Sequence, residues 1–317
     1  MSASPASARP EDPGSGPAAR RRTEGRLRWL PWALLAPGLL LLLLLYALPL
    51  LALIPLSLSE QVDRFSLRTV FSGRIETYGA VLTLFGPTLG RSLRYAALST
   101  GLGLLIAYPL AWTIAFRGGR WKAALLALVV LPFFSSYLVR AIAWTTLLAD
   151  QGPVLSLLRG LGLSGALQNL GLLVDGRLLN TPAAVIGGLT YNSLPFLVLP
   201  LVVALERIDP QLLDAATDLH AGPLRRLLRV EWPLARPGLV SGVLLSLIPA
   251  AGDVVNPRFL GGPNQRMIGG AIESLLLVQR QAPQAAALTL VLMAPISVLA
   301  ALLLLLRGRR WRSLPPP

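Results

Sequence analysis

DPQLLDAATDLHAGPLRRLLRVEWPLARPG, residues 209–238, is the longest polar interruption in the second half of a strongly apolar chain. It reads as two short helices joined by a turn. Asp209 is placed to cap the first, and Pro210 to fill its opening position, where a missing N–H costs nothing. Leu212, Leu213, Ala216 and Leu219 then recur at helical spacing. His220-Ala221-Gly222-Pro223 breaks that pattern. Leu224, Leu227 and Leu228 resume it, with Arg225, Arg226 and Arg229 on the other face. Pro233 and Pro237 are expected to stop the second helix before the next apolar run. So many charges cannot lie in hydrocarbon, so the pair belongs at a membrane face or against a partner. A basic loop resting on lipid headgroups is the ordinary alternative.

Outward from this stretch the chain is 54% hydrophobic and 14% charged over 317 residues, with mean hydropathy +0.62. Soluble domains carry about 25% charged residues. The composition points to an all-α polytopic protein embedded in the lipid bilayer. There is no cysteine and a single histidine, which excludes disulfides, thiolate sites and histidine-cluster metal centres. No metal and no cofactor are expected. The net charge of +14 suggests no nucleic-acid partner, because the arginines flank apolar runs and form no basic domain.

Residues 1–28 read as a basic, disordered cytoplasmic tail and 29–58 as the first transmembrane helix, which needs about 20 apolar residues. Residues 59–93 read as an external loop. A five-helix core follows over 94–306, with spans at 94–116, 122–148, 183–205, 237–256 and 285–306, and a cytoplasmic loop at 206–236. Residues 307–317 form a second basic tail. With both termini cytoplasmic, the inner segments hold eighteen Lys and Arg against ten outside, as the positive-inside rule requires. A short re-entrant or interfacial helix is expected at 154–161.

Ionisable and polar groups within the spans are the candidate translocation residues, since a buried charge usually faces a bundle interior or water. They are Asp253, Arg140, Glu273, Tyr191 and Asn192. An Arg140–acid pair that merely ties helices together is the competing explanation. Catalysis is not expected: the sole lysine, Lys122, lies in RGGRWKA and in no G-x-x-x-x-G-K motif, and His220 has no nucleophile motif beside it.

Asp214-Ala215-Ala216, then His220, then Val230-Glu231-Trp232-Pro233 resembles the EAA motif of permease subunits of binding-protein-dependent ABC importers. The resemblance implies that Asp214, Ala215, Ala216, Leu219, His220, Gly222 and Pro233 belong to the coupling loop that docks on a cytoplasmic ATPase. Asp214 stands for the usual Glu, His220 for a Gly, and Trp232 for a Leu. With His220 there, either the turn moves to Gly222 or docking is altered.

Four more blocks, RSLRYAALSTGLGLLIAYPLAW (91–112), LPFFSSYLVRAIAWTTLLADQGPV (131–154), YNSLPFLVLPLVVALERID (191–209) and PAAGDVVNPRFLGGPNQRMIGGAI (249–272), are similar in order and spacing to the spermidine/putrescine-type subfamily. This implies a MetI-like core with six transmembrane helices in a bacterial inner membrane. It also implies polyamine cargo and three kinds of partner: ABC ATPase subunits, a second permease subunit and an external solute-binding protein. The rival is a self-contained secondary transporter or channel, which should show internal repeats and charged groups at mid-membrane on several spans.

Overall fold

The computed structural model describes residues 30–62 and 68–308. The tail expected over 1–28 and most of that over 307–317 lie outside them. Among the described residues five helices are long and apolar enough to cross a membrane, and a bent pair makes a sixth when counted as one span.

The chain falls into two units, one ending at Pro55 and one beginning at Leu56. The first holds the first span, a helix starting at Leu30 and interrupted by a π turn at Leu43–Ala47. The second opens with a two-stranded antiparallel hairpin, Ser59–Gln61 against Thr69–Phe71, with Ser59 opposite Phe71.

The second span, Glu76–Arg117, starts eighteen residues before the expected position 94. The external loop expected over 59–93 is therefore helical from Glu76 onward. Arg91 and Arg94, which looked like a span border, are accommodated on the helix: Arg91 Nε donates to the Arg266 carbonyl at 2.9 Å and Arg94 Nε to the Gly90 carbonyl at 3.2 Å. At 1.5 Å per residue such a helix exceeds the ~30 Å hydrocarbon core, so one end stands outside it.

The third span is broken. Gly119–Phe134 and Tyr137–Gly160 meet at 96°, because Ser135 and Ser136 are extended (ψ 152° and 140°) after Pro132. The anticipated short helix is present at Pro153–Gly160.

The fourth span, Pro182–Glu206, is capped by Thr181, whose side chain accepts from the Ala184 N–H at 3.2 Å. The sixth, Ala282–Gly308, falls close to expectation. The fifth does not. It was expected at 237–256 with Pro233 and Pro237 as stops, yet one apolar helix runs through both prolines, Pro223–Ala251. A π turn at Leu227–Glu231 precedes Pro233. The regular hydrogen-bond ladder is thus already displaced where the proline N–H would be missed.

The second, fourth and fifth spans pack together around two apolar clusters. One, toward the end that carries residues 206–236, includes Ala111, Ile114, Leu201, Leu205 and Ala235. The other, toward the far end, includes Ala96, Leu189, Ala251, Leu260 and Leu288. Gly238 permits the close approach of the fourth and fifth spans: a Cβ there would lie 2.5 Å from Ala204 Cβ and from the Pro200 carbonyl oxygen. Between the clusters every one of these three spans carries buried polar side chains, namely Ser99 and Thr100, then Thr190, Asn192 and Ser193, then Ser246. Thr100 and Ser246 hydroxyls meet at 3.2 Å across the interface. The bundle therefore has a polar belt between two greasy ends.

Candidate coupling element and intramembrane polar site

At one end of the bundle Asp209 caps the helix Pro210–Asp218, its carboxylate accepting from the Gln211 N–H at 3.0 Å. Leu213 and buried Ala216 face the core. Leu212, Ala215 and Leu219, spaced three and four apart, are exposed, Leu219 at 83%. Asp214 is exposed beside them. The helix therefore buries one apolar face and leaves a second exposed.

The turn after this helix resolves the question posed by His220. Its φ is +55°, in the left-handed region that favours glycine. The His220 N–H donates to the Thr217 carbonyl at 2.9 Å, and the Ala221 N–H to the Ala216 carbonyl at 3.0 Å. Those are the two bonds of a Schellman termination with His220 at C′. Gly222 has φ −59° and ψ 161°, so the turn has not moved there; Gly222 instead precedes Pro223 at the start of the next helix. The histidine takes the glycine conformation and bears its steric cost. Pro233 lies inside the fifth span, Pro223–Ala251, and is half-buried.

Two features here escaped the sequence reading. Glu231 is 2% exposed and accepts from Arg226 Nε at 2.9 Å. The partners are five apart, across the π turn, where the usual search for pairs three or four apart does not look. Lys122 and Glu206 pair at 2.7 Å and tie the third span to the fourth. That pair lies 84 positions apart, and nothing local marks it.

Toward the other end a second polar cluster joins two helix breaks. Asp253 lies between the fifth span and the short helix Val255–Leu260. Its Oδ1 accepts from the Asn256 N–H at 2.9 Å, and its Oδ2 from Asn256 Nδ2 at 3.0 Å and from the Tyr137 hydroxyl. Fully buried Asn256 accepts in turn from Asn192 Nδ2 at 3.4 Å. Arg140 Nε donates to Asn192 Oδ1 at 3.3 Å, and Arg140 Nη1 donates to the carbonyls of Pro132 and Ser135 at 3.1 and 2.9 Å. The guanidinium also lies 4.4 Å from the Phe133 ring centroid. Arg140 therefore stitches the break of its own span through carbonyls and an amide, and among the described residues it forms the competing pair with no acid.

Tyr191 stacks on Phe133 at 6.0 Å and meets Trp144 edge-on at 5.4 Å. A cavity of about 250 Å3 opens beside this cluster, with Asp253, Tyr137 and Asn192 at its polar side and Leu189, Phe196 and Leu245 at its apolar side. Glu273 is not part of it. It pairs with Arg258 and lines a separate cavity of about 810 Å3 with Asn180, Gly262 and Asn264. Among the described residues no three His, Cys, Asp or Glu side chains are grouped to hold a metal.

Apolar spans that break around a polar cavity, with a half-exposed amphipathic helix at one end, place the chain among membrane transport subunits. Residues 99–313 match the family described as binding-protein-dependent transport system inner membrane component, and the chain belongs to that family. It is 36% identical over 231 residues to the spermidine/putrescine transport system permease protein PotB of Haemophilus influenzae, covering 73% of this chain and 77% of the relative. To the protein of that name from Escherichia coli (strain K12) it is 33% identical over 276 residues, covering 86% and 94%. A solved structure of a bacterial alginate ABC transporter, in complex with its alginate pentasaccharide-bound periplasmic protein, shares the fold. There the TM-score is 0.58 at 18% identity, over 90% of this chain and 96% of that one.

Proposed function

We propose that the chain is the permease subunit of an ATP-driven importer for a polyamine-type cation. The cargo reading rests on one observation above others, the Asp253 carboxylate on the wall of an intramembrane cavity. Relatives named for spermidine and putrescine support it. An acid held between spans is costly unless it has a task, and attracting a cation is such a task. Because the sequence has no nucleotide-binding loop, ATP hydrolysis belongs to separate ATPase subunits.

In this reading both termini and the Pro210–Asp218 helix face the cytoplasm. The ATPase takes the Leu212–Ala215–Leu219 stripe, and Asp214 lies at the edge of that contact. A second permease chain completes the pathway, and an external solute-binding protein delivers the cation. ATP binding favours one arrangement of the spans over the other through its different contacts with the two states.

The test is reconstitution of the chain with its partner permease, ATPase and binding protein in liposomes loaded with ATP. Labelled spermidine or putrescine should accumulate, and Asp253→Asn should lower uptake with assembly intact. Uptake without the ATPase would establish the secondary transporter instead. Spermidine and putrescine both being ignored would remove the cargo assignment.

A further inference from the structure

The Asp253 carboxylate is already engaged. A carboxylate offers about four lone-pair positions, and three donors reach this one. Two of the three come from Asn256, three residues further along the same turn; they hold the carboxylate in place. The third is different in kind. Tyr137 lies 116 positions away in sequence, on the first turn of the helix that follows the break at Ser135–Ser136. Its ring lines the cavity together with Asp253. A rotation of the Tyr137 side chain about its Cα–Cβ bond, or a swing of that helix about the break, removes this donor without unwinding anything.

The rest of the cavity has the chemistry of one ligand class. A carboxylate stands on one side, and Leu189, Phe196, Leu245 and Pro249 make an apolar wall. A primary alkylammonium matches both, its N–H groups donating to the carboxylate while its methylenes lie on the wall. Arg140, 5.5 Å from the Tyr137 ring centroid, keeps a cation away from its own side by like-charge repulsion.

We propose that the Tyr137 hydroxyl is a removable cap on Asp253, occupying the acceptor position that an alkylammonium group of the solute takes. This rests on Asp253 lying on the translocation pathway. Solute entry and cap release then compete for one oxygen, and the empty site is closed by the protein's own hydroxyl. The cap is also wired to the break. Asn256 Nδ2 reaches the Tyr137 oxygen at 2.6 Å, Asn192 reaches Asn256, and Arg140 joins Asn192 to the Pro132 and Ser135 carbonyls. Displacing Tyr137 therefore disturbs the chain of contacts that fixes the bend of the third span.

The test is equilibrium binding of labelled putrescine to the assembled permease–ATPase complex in nanodiscs, without binding protein or nucleotide. Tyr137→Phe keeps the ring and removes the competing donor. It should bind roughly tenfold more tightly than wild type, as expected for losing one rival hydrogen bond to a charged group. Asp253→Asn should abolish binding in either background. Tyr137→Leu is the second variant should Tyr137→Phe fail to assemble, with co-purification of the ATPase as the check on folding.

Unchanged or weaker binding by Tyr137→Phe, with binding still lost in Asp253→Asn, would overturn the cap and leave the pathway carboxylate standing. Binding unaffected by Asp253→Asn would overturn the pathway reading beneath it. Absence of binding by both wild type and Tyr137→Phe would also overturn the cap.

Discussion

His220 offers the sharpest test of the coupling turn, because its backbone conformation and its side chain make separable predictions. At φ +55° an L-residue bears about 1–2 kcal/mol of steric cost. Glycine removes that cost but gives up about 0.5–1 kcal/mol through its greater freedom when unfolded. His220→Gly should therefore steady the turn by roughly 0.5–1 kcal/mol, the difference between these terms. A β-branched residue is a genuine outlier at positive φ, so His220→Val should loosen the turn by about a further 1–2 kcal/mol. Hydrogen exchange reads this directly, since the two amides that close the turn are known: residue 220 donates to Thr217 and Ala221 to Ala216. With 1.4 kcal/mol per factor of ten, protection of these amides, corrected for intrinsic rates, should rise roughly two- to fivefold in His220→Gly. It should fall roughly tenfold in His220→Val. ATPase coupling should survive His220→Gly if the turn alone is needed. Lower protection in His220→Gly, or unchanged protection in His220→Val, would refute the assignment of the left-handed position to residue 220.

Further perturbations address the packing around this element. Ala216 lies on the buried face of the Pro210–Asp218 helix and Asp214 stands on its exposed side. Ala216→Asp and Asp214→Arg should both uncouple ATP hydrolysis from uptake while the chain stays in the membrane, and wild-type uptake in both would remove the docking role. Arg226→Ala leaves Glu231 buried without its partner and should cost about 3 kcal/mol, the low end for a broken buried pair because Arg226 is partly exposed. Arg226→Met with Glu231→Leu should recover most of that, measured as thermal unfolding of the complex in detergent; a double variant no better than Arg226→Ala would mean that the pair itself is essential. Gly238→Val forces the fourth and fifth spans apart and should cost about 1–3 kcal/mol by the same measurement. Gly222→Ala, with open space at its Cβ position, should be silent.

What the sequence made legible, and what it hid, follows from the range of the interactions involved. The Pro210–Asp218 helix could be read because its determinants are local: an Asp cap, a proline at the first position and leucines at helical spacing. The span count could be read because hydrocarbon demands long apolar runs. The breaks could not. Pro132 bends the third span at 96°, whereas Pro195, Pro200, Pro233 and Pro237 pass within continuous helices, since neighbouring spans, hydroxyls and a π turn satisfy the backbone that each proline frees. A proline marks only where a helix can break; packing decides whether it does.

The polar site divides in the same manner. Asp253, Arg140, Tyr191 and Asn192 stood out as charged or polar residues in apolar runs, and the structure gathers all four around the broken third span. Two more residues join them: Tyr137, one of several aromatics that could line a pathway or simply pack, and Asn256, which did not stand out. A tyrosine among aromatics and an asparagine before a proline look ordinary until spans from three parts of the chain are set side by side. Glu273 was selected by the same criterion as Asp253 and belongs elsewhere, paired with Arg258. Rarity of charge in a membrane sequence thus finds groups that must be satisfied, and only the fold separates those satisfied by a fixed partner from one satisfied by a partner that can leave. Asp253 is of the second kind, because the hydroxyl that meets it stands on the far side of a helix break.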